Sequence, residues 1–158
     1  MIKKQEEYMH LALLEAEKAF EEGEIPVGAV IVKNGEIIAS AHNTRECENR
    51  VMGHAEINAI ELACKYSNSW KLDDCEIYVT LEPCPMCAGA IISSRINRVI
   101  YGAFDEKQGC LGSVCNLSAM KFPKTPYIKS GVLKNECEAI LKKFFEKLRK
   151  PLDNCSFM

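Results

Sequence analysis

Six residues constrain this chain more than any others. Glu82-Pro83-Cys84-Pro85-Met86-Cys87 follows the strand-like run Glu76-Ile77-Tyr78-Val79-Thr80-Leu81 and opens the apolar segment Ala88-Gly89-Ala90-Ile91-Ile92. The order reads as strand, tight passage, helix. Pro85 has the fixed φ and missing N–H that suit a first helical position, and Cys84 and Cys87 then share one helix face. Two sulfurs converge there on the positive end of a helix, which lowers thiol pKa values and favours the thiolate that binds metals or attacks disulfides.

A Cys-x-x-Cys pair by itself leaves zinc binding and thiol–disulfide exchange both open, because redox motifs also sit between a strand and a helix. A second motif separates them. Gly53-His54-Ala55-Glu56 places His54 thirty residues before Cys84, at the head of the apolar-rich run from Ile57 to Tyr66. One imidazole and two thiolates make three zinc ligands and leave a fourth tetrahedral position for water, the arrangement of a catalytic site. His54 and Glu56, two apart, point to nearly opposite sides of a regular helix. Both face one metal only if His54 precedes the regular path, a start that Gly53 makes sterically easy. Glu56 then does general acid/base work rather than ligation. A thiol–disulfide oxidoreductase built on Cys84 and Cys87 would leave His54 and Glu56 without a task, and a non-catalytic zinc-stabilised RNA-binding module would not need Glu56.

His-x-Glu followed by Pro-Cys-x-x-Cys resembles the signature of the zinc nucleobase deaminases. The likeness extends through Ile25-Pro26-Val27-Gly28-Ala29-Val30, Thr80 to Ala90, Tyr101-Gly102-Ala103-Phe104-Asp105 and Gly131-Val132-Leu133, where the chain is similar to the bacterial tRNA-specific adenosine deaminases over almost its whole length. It departs from their pattern at Val51-Met52-Gly53. The resemblance implies a three-layer α/β/α fold of the cytidine-deaminase type, with a central mixed five-stranded sheet flanked by helices. It also implies one zinc ion per chain on His54, Cys84 and Cys87. The reaction implied is hydrolytic deamination of adenosine to inosine at the wobble position of the tRNA anticodon, by zinc-activated hydroxide with Glu56 as proton shuttle.

For the substrate side the same resemblance implies that Asn43 hydrogen-bonds the target base and that Val27 and Ala55 also contact substrate. Asp105 and Lys107 border the substrate opening, where Lys107 can reach a phosphate, and the Phe144-Phe145 pair, Phe145 as the contact, helps hold extruded anticodon bases. The partners it implies are the tRNA anticodon loop and a second copy of the chain in a homodimer. A deaminase of free guanine, cytosine or a nucleoside is the alternative, because its metal site would look the same.

Composition sets the outer bounds. With 158 residues, 47% of them hydrophobic, the chain is expected to form one domain over 1–158, with a core over about 3–150 and a short tail at 151–158. Lys3 and Lys4 precede a charged helical pattern rather than an apolar signal segment, and no apolar run is long enough to span a bilayer. A soluble, cytoplasmic protein with no membrane partner is expected. Nine cysteines show no framework spacing, so they are expected to be reduced and, outside the central pair, mostly small core residues. Cys110 and Cys115 are not spaced like a second zinc pair. The net charge of −2 argues weakly against a nucleic-acid partner, yet residues 121–150 carry nine Lys/Arg against three Glu. Such a stretch can meet phosphates, although a solvated helix face is its commoner meaning.

The remaining elements follow from periodicity. Met9, Ala12, Leu13, Ala16, Ala19 and Phe20 give residues 3–22 an amphipathic helix that ends at Gly23, with His10 a surface or packing residue. Residues 27–32 and 36–41 flank Lys33-Asn34-Gly35, a strong hairpin signal. His42 reads as a strand-end histidine outside the zinc set, and Asn43, on its own, equally as a turn residue. A loop over 44–52, strands at 75–81 and 98–103, and a helix at 84–94 between them follow, so those two strands are expected to be parallel. A turn region at 105–118, an edge strand at 127–133 and a helix at 134–150, with Ala139, Ile140, Phe144 and Leu148 toward the core, complete the chain. In such sheets sites gather at the carboxyl ends of strands.

Overall fold

Asn34 and Gly35 both take positive φ, 50° and 81°, the geometry of a two-residue turn whose twist matches the strands it joins. In the computed structural model, described over residues 1–150, they connect β1 (Gly28–Lys33) to β2 (Glu36–His42). The pairing is antiparallel, with Gly28 opposite His42, Lys33 opposite Glu36 and a bulge between Ile31 and Val32. On its other side β1 pairs antiparallel with β3 (Cys75–Leu81). β4 (Arg98–Ala103) and the short β5 (Tyr127–Lys129) follow in parallel, giving a mixed five-stranded sheet in the order β2-β1-β3-β4-β5. The strand expected over 127–133 stops at Lys129, because Gly131 turns the chain with φ 79°. The tail at 151–158 lies outside the described residues.

Strand alternation sorts the core into two layers. Ala29, Ile31, Ile77, Val79, Val99 and Tyr101 face α2 (Ala55–Ser67) and α3 (Pro85–Ser93). Val30, Val32, Tyr78 and Ile100 face α1 (Ile2–Glu21) and α4 (Lys134–Arg149). Helices cover both faces, which is the expected α/β/α layering. The α1 stripe of Met9, Ala12, Leu13, Ala16 and Ala19 is buried as its spacing requires, with Phe20 partly so and His10 exposed.

α4 is the main departure. Its core stripe is Cys137, Ile140, Leu141 and Phe144, spaced three and four apart, whereas Ala139 falls off that stripe and is exposed. Leu148, one turn beyond Phe144, is 65% exposed. Cysteine burial departs as well. Outside the central pair Cys75, Cys110 and Cys137 are buried, Cys64 is half-buried, and Cys47 and Cys115 sit exposed in loops; Cys155 lies outside the described residues. All the described cysteines are free thiols, and no described helix is long and apolar enough to cross a membrane.

Because β1 runs against both its neighbours, β2, β3 and β4 end on the same edge of the sheet, at His42, Leu81 and Ala103. The segments that leave those ends carry Asn43, Glu82 to Cys84, and Phe104 to Asp105.

Candidate active site

Two helices begin at that edge, and each begins on a donor. His54 stands one residue before α2 in extended conformation, φ −84° and ψ 148°, off the helical path as the His-x-Glu spacing demands. Cys84 occupies the same place before α3, with Pro85 as the first helical residue and Cys87 on the first turn. A side chain on Gly53 would meet Arg45 Cα at 2.9 Å, so the approach to His54 requires glycine. The 44–53 loop is closed by Thr44 N–H donating to Gly53 O at 2.9 Å, and by Asn58 Nδ2 donating to His42 O and Thr44 Oγ1, both at 3.0 Å. The sequence reading had no place for Asn58.

His54 Nδ1 lies 3.6 Å from Cys84 Sγ and 3.4 Å from Cys87 Sγ. Zinc bonds of about 2.0 Å to nitrogen and 2.3 Å to sulfur, at the tetrahedral angle, separate such donors by about 3.5 Å. The donor set therefore fits one ion of that size, and it is the one cluster of this kind among the described residues. In the protein chain alone the Cys87 thiol donates to Cys84, which, against burial and with help from His54, pushes the Cys84 thiol down to about 4. The same hydrogen bond, then burial, pushes the Cys87 thiol up. His54 is raised, chiefly by its bond with Cys84.

Glu56, in the first turn of α2, is 5% exposed. Burial pushes its carboxyl up to about 7; the negative Cys84 adds to this, while its backbone hydrogen bond and His54 oppose it. A carboxyl that titrates near neutrality beside the three donors can both accept and return a proton.

A cavity of about 660 Å³ opens over this cluster. Of the ten residues singled out in the sequence, Val27, Asn43, His54, Ala55, Glu56, Cys84, Asp105, Lys107 and Phe145 line it, and Cys87 lies behind it, fully buried. Several also hold turns. Asn43 Oδ1 accepts from Arg45 N–H at 3.1 Å and its Nδ2 donates to Ile25 O at 3.2 Å, so the turn reading of this residue is met as well. Asp105 Oδ1 accepts from the N–H groups of Lys107 at 3.0 Å and Gln108 at 3.1 Å.

The aromatic pair on α4 divides. Phe144 is 5% exposed and packs edge-on against Phe20 at 5.8 Å between centroids, so it belongs to the core; Phe145, 39% exposed, faces the cavity. His42 takes no part in the donor cluster: its Nδ1 meets Glu15 at 2.9 Å and its Nε2 meets Glu22 at 3.0 Å. Glu24, Phe104 and Lys134 also line the cavity and were not singled out for it. Lys134 Nζ sits 5.4 Å over the Phe104 ring, an encounter between residues thirty apart that no local pattern signals.

The MafB19-like deaminase family model matches residues 3–149. The tRNA-specific adenosine deaminase of Bacillus subtilis is 53% identical over 144 residues, covering 90% of this chain and 89% of the relative. The chain belongs to the tRNA-specific adenosine deaminase family. Among solved structures, a tRNA:A34 deaminase from studies of A-to-I editing at the wobble position aligns with TM-score 0.81 and 42% identity, over 85% of this chain and 98% of that one. The guanine deaminase of Bacillus subtilis aligns less well, with TM-score 0.60 and 27% identity over 97% of this chain and 98% of that one. Family and fold thus agree with the resemblance carried by the two motifs, and free-base deamination is the more distant kinship.

Proposed function

We propose that this enzyme hydrolyses the exocyclic amine of adenosine at the wobble position of a tRNA anticodon, leaving inosine, with Glu56 as the proton carrier and a zinc ion on His54, Cys84 and Cys87. The observation that carries this is the convergence of one imidazole and two sulfurs within zinc-bonding distance of a common point, beside the buried carboxyl of Glu56. Zinc held there supplies Lewis acidity that makes water acidic near neutral pH. Glu56 takes one proton from the attacking water and passes it to the purine ring nitrogen as C6 is attacked, then takes the proton of the new C6 hydroxyl and delivers it to the amine, which leaves as ammonia as the C6 carbonyl forms. Buried from solvent, it keeps that proton within the cavity. Asn43, whose amide nitrogen and oxygen each have bonding capacity beyond the turn contacts, receives the base edge.

Phe145 stands where an unstacked neighbouring base can lie on its ring, and Lys107 and Lys134 offer positive charge at the rim. A cytoplasmic working place follows from a tRNA substrate. A homodimer is supported by α3: among the described residues nothing lies within 4 Å of where a side chain at Gly89 would begin, although Ala-Gly-Ala is a pattern for close approach.

The test is to incubate zinc-loaded protein with an anticodon stem-loop carrying adenosine at the wobble position and, in parallel, with free adenine, guanine and cytosine. Inosine in the RNA and no ammonia from the bases is the expected result. Ammonia from a free base, with the stem-loop unchanged, overturns the substrate assignment.

A further inference from the structure

Glu82 begins the stretch that holds Cys84 and Cys87 but takes no part in the donor cluster. It is 2% exposed and ends up beneath the 105–113 loop. Its Oε1 accepts from the N–H groups of Leu111 at 3.2 Å and Ser113 at 3.0 Å; its Oε2 accepts from Asp105 N–H at 3.0 Å and from the Ser113 hydroxyl. All four donors come from one loop. No basic side chain pairs with this carboxylate among the described residues. A side chain on Gly109 would run into the Glu82 carboxylate, so the loop is built to wrap it closely. Two backbone bonds tie the same corner, Glu82 N–H to Ala103 O and Cys110 N–H to Pro83 O, both at 2.9 Å.

A buried carboxylate without a counter-charge is tolerated only while its donors stay in place. Four donors from one short loop therefore make the loop position and the carboxylate mutually dependent. That loop carries Asp105, Glu106, Lys107 and Gln108 into the cavity wall, while the backbone two residues past Glu82 carries Cys84. We propose that Glu82 is a positioning residue: it fixes the 105–113 loop against the Cys84 turn, and so sets where Asp105 and Lys107 meet the nucleotides flanking the reacting base. The claim about flanking nucleotides rests on the RNA substrate proposed above; the claim about the loop does not.

The test compares zinc-loaded wild type with Glu82→Gln, which keeps the shape but turns an amide nitrogen toward donors. Without RNA, amide exchange at Asp105, Leu111 and Ser113 is expected to quicken at least about tenfold, the scale of one charge-assisted hydrogen bond lost, while α2 and α3 keep their protection. With stem-loop substrate KM is expected to rise about tenfold with kcat within about twofold and zinc content unchanged. A residue that only stabilised the fold would shift neither the KM-to-kcat balance nor exchange confined to this loop. Ser113→Ala removes a single donor, folds regardless, and is expected to move both readouts in the same direction by a smaller factor. Unchanged exchange at the three amides in both variants overturns the proposal. So does a fall in kcat or zinc content with KM unmoved, which would mean that Glu82 acts through the metal turn. If wild type leaves the stem-loop unreacted, the RNA assignment fails on its own while the exchange comparison still decides the loop.

Discussion

His54 Nδ1 lies 3.4 Å from Cys87 Sγ, although thirty-three residues separate them and each sits at the start of a different helix. The imidazole and the two sulfurs are spaced as ligands of one ion would be. The hydrogen bond between the two thiols lowers Cys84 and raises Cys87, whereas a dication would hold both as thiolates. Stripping the metal should therefore lower Tm by about 10 °C, on the scale of a tightly bound ligand worth about 4 kcal/mol in a chain of this size. Calorimetry before and after chelation, with zinc added back, checks this; an unchanged Tm would contradict it.

His42 gives a pH dependence of stability that is separate from the cluster. Burial by itself pulls its pKa down, but hydrogen bonds and charge from Glu15 and Glu22 outweigh that and hold it above the ordinary value. The folded pKa being raised, its contribution is full below about pH 6.5, the unfolded value, and is lost as pH rises through the folded value. Glu15 works in the other sense: burial raises it, Lys18 and His42 lower it further, and its share is lost as pH falls through a folded pKa below 4.5. The contact is thus strongest between those limits. His42→Gln should cost about 1 kcal/mol at pH 6 after allowance for solvent screening, and less at pH 9. Urea unfolding at the two pH values measures the difference.

Adjacent phenylalanines should behave oppositely. Phe144→Ala empties a core position against Phe20 and should cost about 3–5 kcal/mol of stability. Phe145→Ala should cost under about 1 kcal/mol of stability yet raise KM for stem-loop RNA about tenfold or more, the scale of one lost base stack. Melting curves and steady-state kinetics on both variants separate core from contact.

Gly89→Arg tests the proposed dimer contact of α3. Space around Gly89 is open among the described residues, and arginine favours helix over glycine, so the fold should tolerate the change. Light scattering should nevertheless report a monomer where the wild type reports a dimer. A wild type that is itself monomeric would contradict the assembly proposed.

Those features that short-range chemistry determines were legible in the sequence. Pro85 and the three-residue spacing of Cys84 and Cys87 required a helix start bearing two sulfurs, and the two-residue spacing of His54 and Glu56 required the histidine to precede α2. Asn34-Gly35 required the hairpin, and strand-helix-strand alternation required β3 and β4 to be parallel. What was not legible depends on which distant segment arrives where. Helical spacing did mark Phe144 rather than Phe145 as core, but not that its packing partner would be Phe20 on α1. Ala139 and Leu148 looked like core residues because the width of the α4 contact is set by the sheet rather than by the helix. β5 ends early because Gly131 adopts positive φ, and the Asp105 to Ser113 loop closes on Glu82, from which it is more than twenty residues distant in the chain.

Zinc content and inosine yield, measured together on wild type and Glu56→Ala with an anticodon stem-loop, test the central claim most directly. The expected result is about one zinc per chain in both proteins, inosine from the wild type, and a rate at least about 10²-fold lower in the variant, the loss associated with a missing general acid and base. Full activity in metal-free wild type, or near-normal turnover by Glu56→Ala, would contradict it.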